Sequence, residues 1–191
     1  RARAAAPGKP VFLLGHSMGG AIATLYALDR PADLAGLVLS AAALESDVFF
    51  LKRCGVGTIA ALNPASGVFD LDLHDFSRDP KVVEEGLADP LVYQEGAPAR
   101  TAIELLHALD RIEDRMGELT VPLLAMHGTE DRVTVPQGSK DLVERAASKD
   151  RTLAMYDGLW HDLLHEPEKE RVMADVIAWI EARAGKAPAG R

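Results

Sequence analysis

Val11-Phe12-Leu13-Leu14, then Gly15-His16-Ser17-Met18-Gly19, then Gly20-Ala21-Ile22-Ala23: an apolar run, a G-x-S-x-G string and a run of small residues follow one another without a gap. The first run, opened by Pro10, does not alternate polar with apolar residues, so it reads as a parallel strand buried on both faces. From Gly19 onward, Gly20, Ala21, Ala23, Leu25, Ala27 and Leu28 suit a helix packed closely on a sheet, with Arg30-Pro31 as its stop. Ser17 therefore stands on a strand-to-helix corner. That is where a G-x-S-x-G string acts as a nucleophile elbow. A serine hydroxyl is a weak nucleophile until it is presented, relieved of its proton and placed beside donors for the developing oxyanion. Small residues at Gly15 and Gly19 are expected to permit the tight turn, and the amide of Met18 is expected to point into the oxyanion site from the helix N-terminus.

Composition bounds what surrounds this corner. A chain of 191 residues with 48% hydrophobic content supports one sizeable core rather than two full domains. The formal net charge of -8 is dispersed, and no basic stripe is present to neutralise phosphates, which argues against nucleic acid as a partner. Cys54 is the single cysteine, so no internal disulfide forms. It reads as a small buried apolar residue in a protein of a reducing, cytoplasmic compartment. No uninterrupted apolar run reaches bilayer length, and the start of the sequence has no hydrophobic signal region. Arg1 to Gly8 looks instead like the last turns of a helix and its glycine stop, so the sequence is expected to begin inside a fold.

Further along, Leu34–Ser40, Val121–Met126 and Thr152–Tyr156 read as three more short apolar strands. Helices are expected over Pro136–Ser148 and Pro167–Ala184; in the latter Val172, Val176, Trp179 and Ile180 recur at helical spacing. Strands alternating with helices imply an α/β fold with a parallel sheet. Between Glu45 and Leu119 the rhythm breaks: Asn63–Pro80 is loop-rich, no strand is evident, and Pro98–Met116 forms an amphipathic helix through Ala102, Leu105, Leu106, Leu109 and Ile112. The expected organisation is thus a core over 1–44, an inserted helical cap over 45–119, and more core over 120–191. A cap there would lie over the strand ends, where open α/β sheets bind ligands. The apolar stretches Val48-Phe49-Phe50-Leu51 and Val56–Leu62 read either as an acyl pocket or lipid-contacting surface, or as the cap's own interior.

A nucleophilic serine needs a base and a group to orient it, in α/β hydrolases in the order serine, acid, histidine. Asp131, in His127-Gly128-Thr129-Glu130-Asp131-Arg132-Val133, follows the third strand. His161, in Tyr156-Asp157-Gly158-Leu159-Trp160-His161, follows the fourth. In a parallel sheet all three groups then lie on one rim, with His161 taking the proton of Ser17 and Asp131 fixing the imidazole tautomer. Glu130 is the rival acid. His161-Asp162-Leu163-Leu164-His165 superficially resembles a zinc helix, but it lacks the glutamate at the second place and abuts a turn, so no metal site is expected. His16 is expected to pack beneath the corner, and His74, His107 and His127 show nothing that singles them out.

The elbow Gly15-His16-Ser17-Met18-Gly19-Gly20, the segment His127-Gly128-Thr129-Glu130-Asp131-Arg132-Val133-Thr134 and the segment Tyr156–His161 together resemble the monoacylglycerol lipase and lysophospholipase group of α/β hydrolases. Asp79-Pro80 and Asp89-Pro90-Leu91-Val92-Tyr93 extend the resemblance into the cap. It implies the α/β-hydrolase fold and a serine esterase that needs no cofactor. Ser17, Asp131 and His161 would be its catalytic residues, Met18 an oxyanion donor, and a monoacylglycerol its small-molecule substrate. It also implies earlier strands and an oxyanion loop with a His-Gly motif ahead of the elbow, which nothing before Val11 matches. The expectation is a fragment of an enzyme, feeble alone, with an unpaired apolar strand edge. Two alternatives stay open: an esterase or lysophospholipase for another acyl substrate, and a non-catalytic lipid-binding remnant.

Overall fold

A computed structural model describes residues 2–46 and 50–185 of the chain. A short helix α1 (Ala2–Ala5) leads into strand β1 (Phe12–His16), helix α2 (Met18–Asp29) and strand β2 (Gly36–Ser40). After α3 (Phe50–Leu62), a short strand β3 (Gly67–Phe69), α4 (Pro80–Ala88), a two-residue strand β4 (Ala97–Pro98) and α5 (Ala99–Arg115), the chain returns to the sheet. It closes with β5 (Leu123–Gly128), α6 (Pro136–Arg145), β6 (Arg151–Tyr156) and α7 (Lys169–Ala184). The main sheet has the order β1-β2-β5-β6, and every neighbouring pair is parallel.

In β2 and β5 the unbroken apolar runs are explained by cover on both faces; β1, expected to be buried on both faces, is only half-buried among the described residues, with Gly15 its one buried position. Leu37 and Leu39 of β2 and Leu123 and Ala125 of β5 point to one side. There they meet Ala21, Ala23, Ala27 and Leu28 of α2, Leu109 and Ile112 of α5 and Leu142 of α6. Val38, Leu124 and Met126, the residues between, point the other way against Val172, Val176 and Trp179 of α7. Each buried leucine or valine contributes roughly 1.5–3 kcal/mol, so a strand with no polar face is the stable choice here. This is the α/β-hydrolase arrangement expected of the chain.

The segment between β2 and β5 differs from expectation in detail. β3 and β4 pair antiparallel in a region read as strandless. α4 was not anticipated, although Asp79-Pro80 is an N-cap signature: the Asp79 carboxylate accepts the Lys81 backbone N–H, and Pro80 takes the first turn. The amphipathic helix is found as α5, with Ala99, Ala102, Leu106, Leu109 and Ile112 buried at three- and four-residue spacing. Of the apolar stretches, Val56 and Ala60 are buried while Ile59 and Leu62 are exposed; Val48 and Phe49 lie outside the described residues. Cys54 is exposed, not buried as its residue type suggests, because α3 turns that face outward. The tail beyond Gly185 likewise lies outside the described residues. β1 pairs only with β2 among the described residues, and Leu14 on it is 46% exposed. No described helix is long and apolar enough to cross a membrane.

Candidate active site

Because the four strands run parallel, the turns after β1, β5 and β6 all leave the same rim, and Ser17, Asp131 and His161 lie on those turns. Ser17 occupies φ 52°, ψ -126°, a conformation that costs a residue with a side chain on the order of 1–3 kcal/mol and persists only when its surroundings impose it. They do so on both sides. The Ser17 N–H donates to Ser40 O at 3.1 Å, and its carbonyl accepts from Gly20 and Ala43 at 2.9 and 3.0 Å. Met18 follows as the first residue of α2, with its amide at the positive end of the helix.

The glycines that permit this corner are not the pair expected. A methyl group on Gly15 would fall 2.5 Å from Gly19 O, and one on Gly20 would fall 2.3 Å from Ala42 Cβ. A methyl group on Gly19 would meet nothing within 4 Å outside its own helix. The close packing is between Gly15 and the first turn of α2, and between Gly20 and the end of β2. Gly19 contributes no clearance.

Asp131 and His161 are brought together. His161 Nδ1 donates to Asp131 Oδ2 at 2.9 Å, and neither side chain is exposed. An ionised carboxylate only accepts, so the His161 proton sits on Nδ1 and the lone pair on Nε2. That Nε2 is buried and has no hydrogen-bond partner among the described residues. Burial pushes the Asp131 carboxyl up, but hydrogen bonds from His127 and His161, the charge His161 can carry and the Thr134 backbone N–H outweigh it. The net result holds the group well below the usual carboxylate range. Oδ1 accepts the N–H groups of Val133 and Thr134 at 2.8 and 2.9 Å, an Asx turn that the short aspartate side chain makes with its own backbone. Glu130, the rival acid, is exposed.

The loop that carries His161 is laid directly over the end of β5. A methyl group on Gly128 would meet Leu159 O at 2.2 Å, and Glu130 N–H donates to that same carbonyl at 3.1 Å. Two rings flank His161. His16 lies 4.7 Å away, centroid to centroid, and Phe76 meets it edge-on at 5.0 Å. His16 thus packs beside the base rather than beneath the corner, with Nδ1 3.1 Å from Ser40 O. Burial first, and then the neighbouring His161, hold its pKa below the ordinary imidazole value, so it adds no like charge when His161 is protonated. His165 does not join His161 in a metal pair; its Nδ1 is 2.9 Å from Asp162, and the segment forms turns rather than a helix. Among the described residues no group of three or more His, Cys, Asp or Glu side chains is placed to hold a metal.

Three features of the site escaped the sequence. Phe76 comes from the loop before α4, and that loop is tied to the His161 loop by Asp162 N–H donating to Phe76 O at 2.8 Å. Arg78 next to it pairs with Glu166, whose side chain is wholly buried, and with Glu168. Arg132 stacks over Trp160 at 4.1 Å and lies 3.5 Å from Asp75, joining the acid loop, the histidine loop and the same segment. The third is His127, at 0% exposure, whose Nε2 lies 3.0 Å from Asp131 Oδ2. Its position four residues before the acid was the one available signal.

The chain is similar to known proteins over most of its length. A family described as serine aminopeptidase, S33, matches residues 1–168. A monoacylglycerol lipase of Mycolicibacterium smegmatis is 38% identical over 176 residues, 91% of this chain and 63% of that protein. Human monoglyceride lipase is 37% identical over 187 residues, 95% of this chain and 61% of the relative. The chain therefore spans less than two thirds of the length of these curated relatives. Among solved structures, the monoacylglycerol lipase of Paleococcus ferrophilus superposes with a TM-score of 0.84 at 27% identity, covering 92% of this chain and 70% of the other.

Proposed function

We propose that this chain, which belongs to the serine aminopeptidase (S33) family of α/β hydrolases, is the part of a serine esterase that carries its nucleophile, base and acid, with a monoacylglycerol as substrate. The observation that supports the reading best is the pairing of Asp131 with His161 Nδ1 at 2.9 Å, which leaves Nε2 unpartnered on the rim where the elbow presents Ser17. The substrate class is suggested by relatives named as lipases of monoacylglycerols at 37–38% identity.

In this mechanism Ser17 Oγ attacks the ester carbonyl while its proton passes to His161 Nε2. The oxyanion is met by the Met18 N–H at the start of α2. Collapse of the tetrahedral intermediate breaks the acyl–oxygen bond, and His161 returns the proton to the departing glycerol oxygen. A water activated by the same nitrogen then releases the fatty acid from Ser17. Asp131 stays ionised throughout and balances the imidazolium. Residues 1–44 and 120–191 are read as the hydrolase core and 45–119 as the cap.

The reading is tested by a fluorophosphonate probe and by glycerol release from a monoacylglycerol. Labelling and hydrolysis are both expected of the whole enzyme that carries this chain, and both are expected to vanish in Ser17→Ala. Equal labelling of the Ser17→Ala protein would overturn the assignment of the nucleophile. Hydrolysis of short esters but not of monoacylglycerols would move the chain to an esterase of different substrate.

A further inference from the structure

His127, the last residue but one of β5, is wholly buried and plays no part in the proton transfers just described. Its two ring nitrogens are both engaged. Nδ1 lies 2.8 Å from the hydroxyl of Ser139, a buried residue in the first turns of α6. Nε2 lies 3.0 Å from Asp131 Oδ2 and 3.2 Å from Thr134 Oγ. The oxygen of Asp131 that it reaches is the same one that holds His161 Nδ1 at 2.9 Å.

We propose that His127 is a positioning residue for the acid: in its Nε2–H tautomer it donates to Asp131 Oδ2 and so fixes the oxygen that orients His161. The inference rests on the reading of Ser17, His161 and Asp131 as the reacting groups. An acceptor-only carboxylate requires the proton on Nε2, which leaves Nδ1 to accept the Ser139 O–H. The chain of donors then runs from Ser139 through His127 to Asp131, every step in one direction. The two backbone N–H groups hold only Oδ1, so without His127 the second oxygen is fixed by the Thr134 hydroxyl and by His161 itself, the ring it has to orient. A ring donor adds no charge of its own, so it helps keep a buried carboxylate ionised without competing with His161 as its counter-ion. A histidine serving only to fill the core would need no ring nitrogen within 3.0 Å of that oxygen.

The purified protein labelled with 15N-histidine gives the direct test. At neutral pH His127 should show a proton bonded to Nε2 and none on Nδ1; a proton on Nδ1 instead overturns the proposal. Labelling of Ser17 by a fluorophosphonate gives the functional test. In His127→Leu/Ser139→Ala, which leaves no orphaned hydroxyl, the rate should fall about 10–100-fold. In His127→Gln, whose amide N–H reaches the same oxygen, it should stay within about threefold of the original. A double variant as fast as the original, or a glutamine variant as slow as the double, refutes a donor role. An original protein that is not labelled at all refutes the proposed esterase, and the tautomer measured by resonance still decides what His127 does.

Discussion

Asp131→Asn removes one charge and almost no volume, and the structure dictates which way the new amide must face. Oδ1 accepts the N–H groups of Val133 and Thr134 at 2.8 and 2.9 Å, so the amide oxygen has to take that place; an NH2 there would oppose two donors. The NH2 then stands where Oδ2 stood, 2.9 Å from His161 Nδ1 and 3.0 Å from His127 Nε2. It can only donate, so His161 must accept at Nδ1 and carry its proton on Nε2. The nitrogen that should take the Ser17 proton is thereby occupied. The equivalent change in a serine protease, with its geometry intact, lowers kcat about 10⁴-fold, which is about 5 kcal/mol of barrier. We expect a loss of that order here, measured as kcat for a chromogenic ester and as the rate of fluorophosphonate labelling. Adding His161→Ala to Asp131→Asn should cost far less than the sum of the two single losses, because the two residues act as a unit. A fully folded Asp131→Asn protein within tenfold of the original would refute the assignment of the acid.

Three further outcomes follow from the same contacts. Gly15→Ala and Gly20→Ala should each destabilise by about 1–3 kcal/mol or more, since the added methyl meets backbone or Ala42 inside 2.6 Å, whereas Gly19→Ala should be neutral or stabilising by up to about 1 kcal/mol; thermal melts that rank Gly19 with the other two would contradict the packing described. Arg78→Ala leaves the fully buried Glu166 carboxylate unpaired and should cost about 3–5 kcal/mol, most of it recovered in Arg78→Ala/Glu166→Leu; denaturant titrations of the two variants decide it. The Asp131 carboxyl is depressed in the fold from an ordinary value of 3.8, so its contribution is present above that pH and is lost as pH falls below it toward the lower folded value. Melting temperature should therefore drop less steeply below pH 4 in Asp131→Asn than in the original, and parallel acid profiles would show that the group contributes nothing.

What the sequence disclosed was set by how local each cause is. β2 and β5 were readable because burial on both faces leaves its mark in consecutive apolar residues, and β1 carries the same kind of run although it is only half-buried. Ser17, Asp131 and His161 stood out as candidates because each follows an apolar strand. Boundaries moved by a residue or two: the strand read over Val11–Leu14 runs Phe12–His16, and the one read as closing at Met126 continues through Gly128. Non-local causes left no such mark. Gly20 is demanded by Ala42 at the end of another strand, so its importance over Gly19 is invisible within the elbow itself. Arg78 and Glu166 are 88 positions apart and look like two ordinary surface charges until the fold joins them. His127 lacked an evident partner because Asp131 returns to it only through a turn, and Ser139 only through α6.

The placement of His161 shows why these non-local contacts matter for chemistry. The residue sits on a loop, not on a strand, and its ring must hold one orientation among several rotamers. A hydrogen bond to an ionised carboxylate contributes about 1.5–3 kcal/mol, which at about 1.4 kcal/mol per decade favours the aligned ring by roughly ten- to hundredfold. Phe76 meets the ring edge-on from the segment before α4, and His16 meets it from the elbow. Aromatic contacts of this kind add about 0.5–1.5 kcal/mol each, enough to turn a preference into a nearly single state. The segment before α4 is in turn fastened to the histidine loop by Arg78 and Glu166 and by the bond from Asp162 N–H to Phe76 O. The region between β2 and β5 is therefore part of what aims the His161 ring. A substitution that loosens that segment should lower turnover even where it leaves Ser17, Asp131 and the substrate's path untouched.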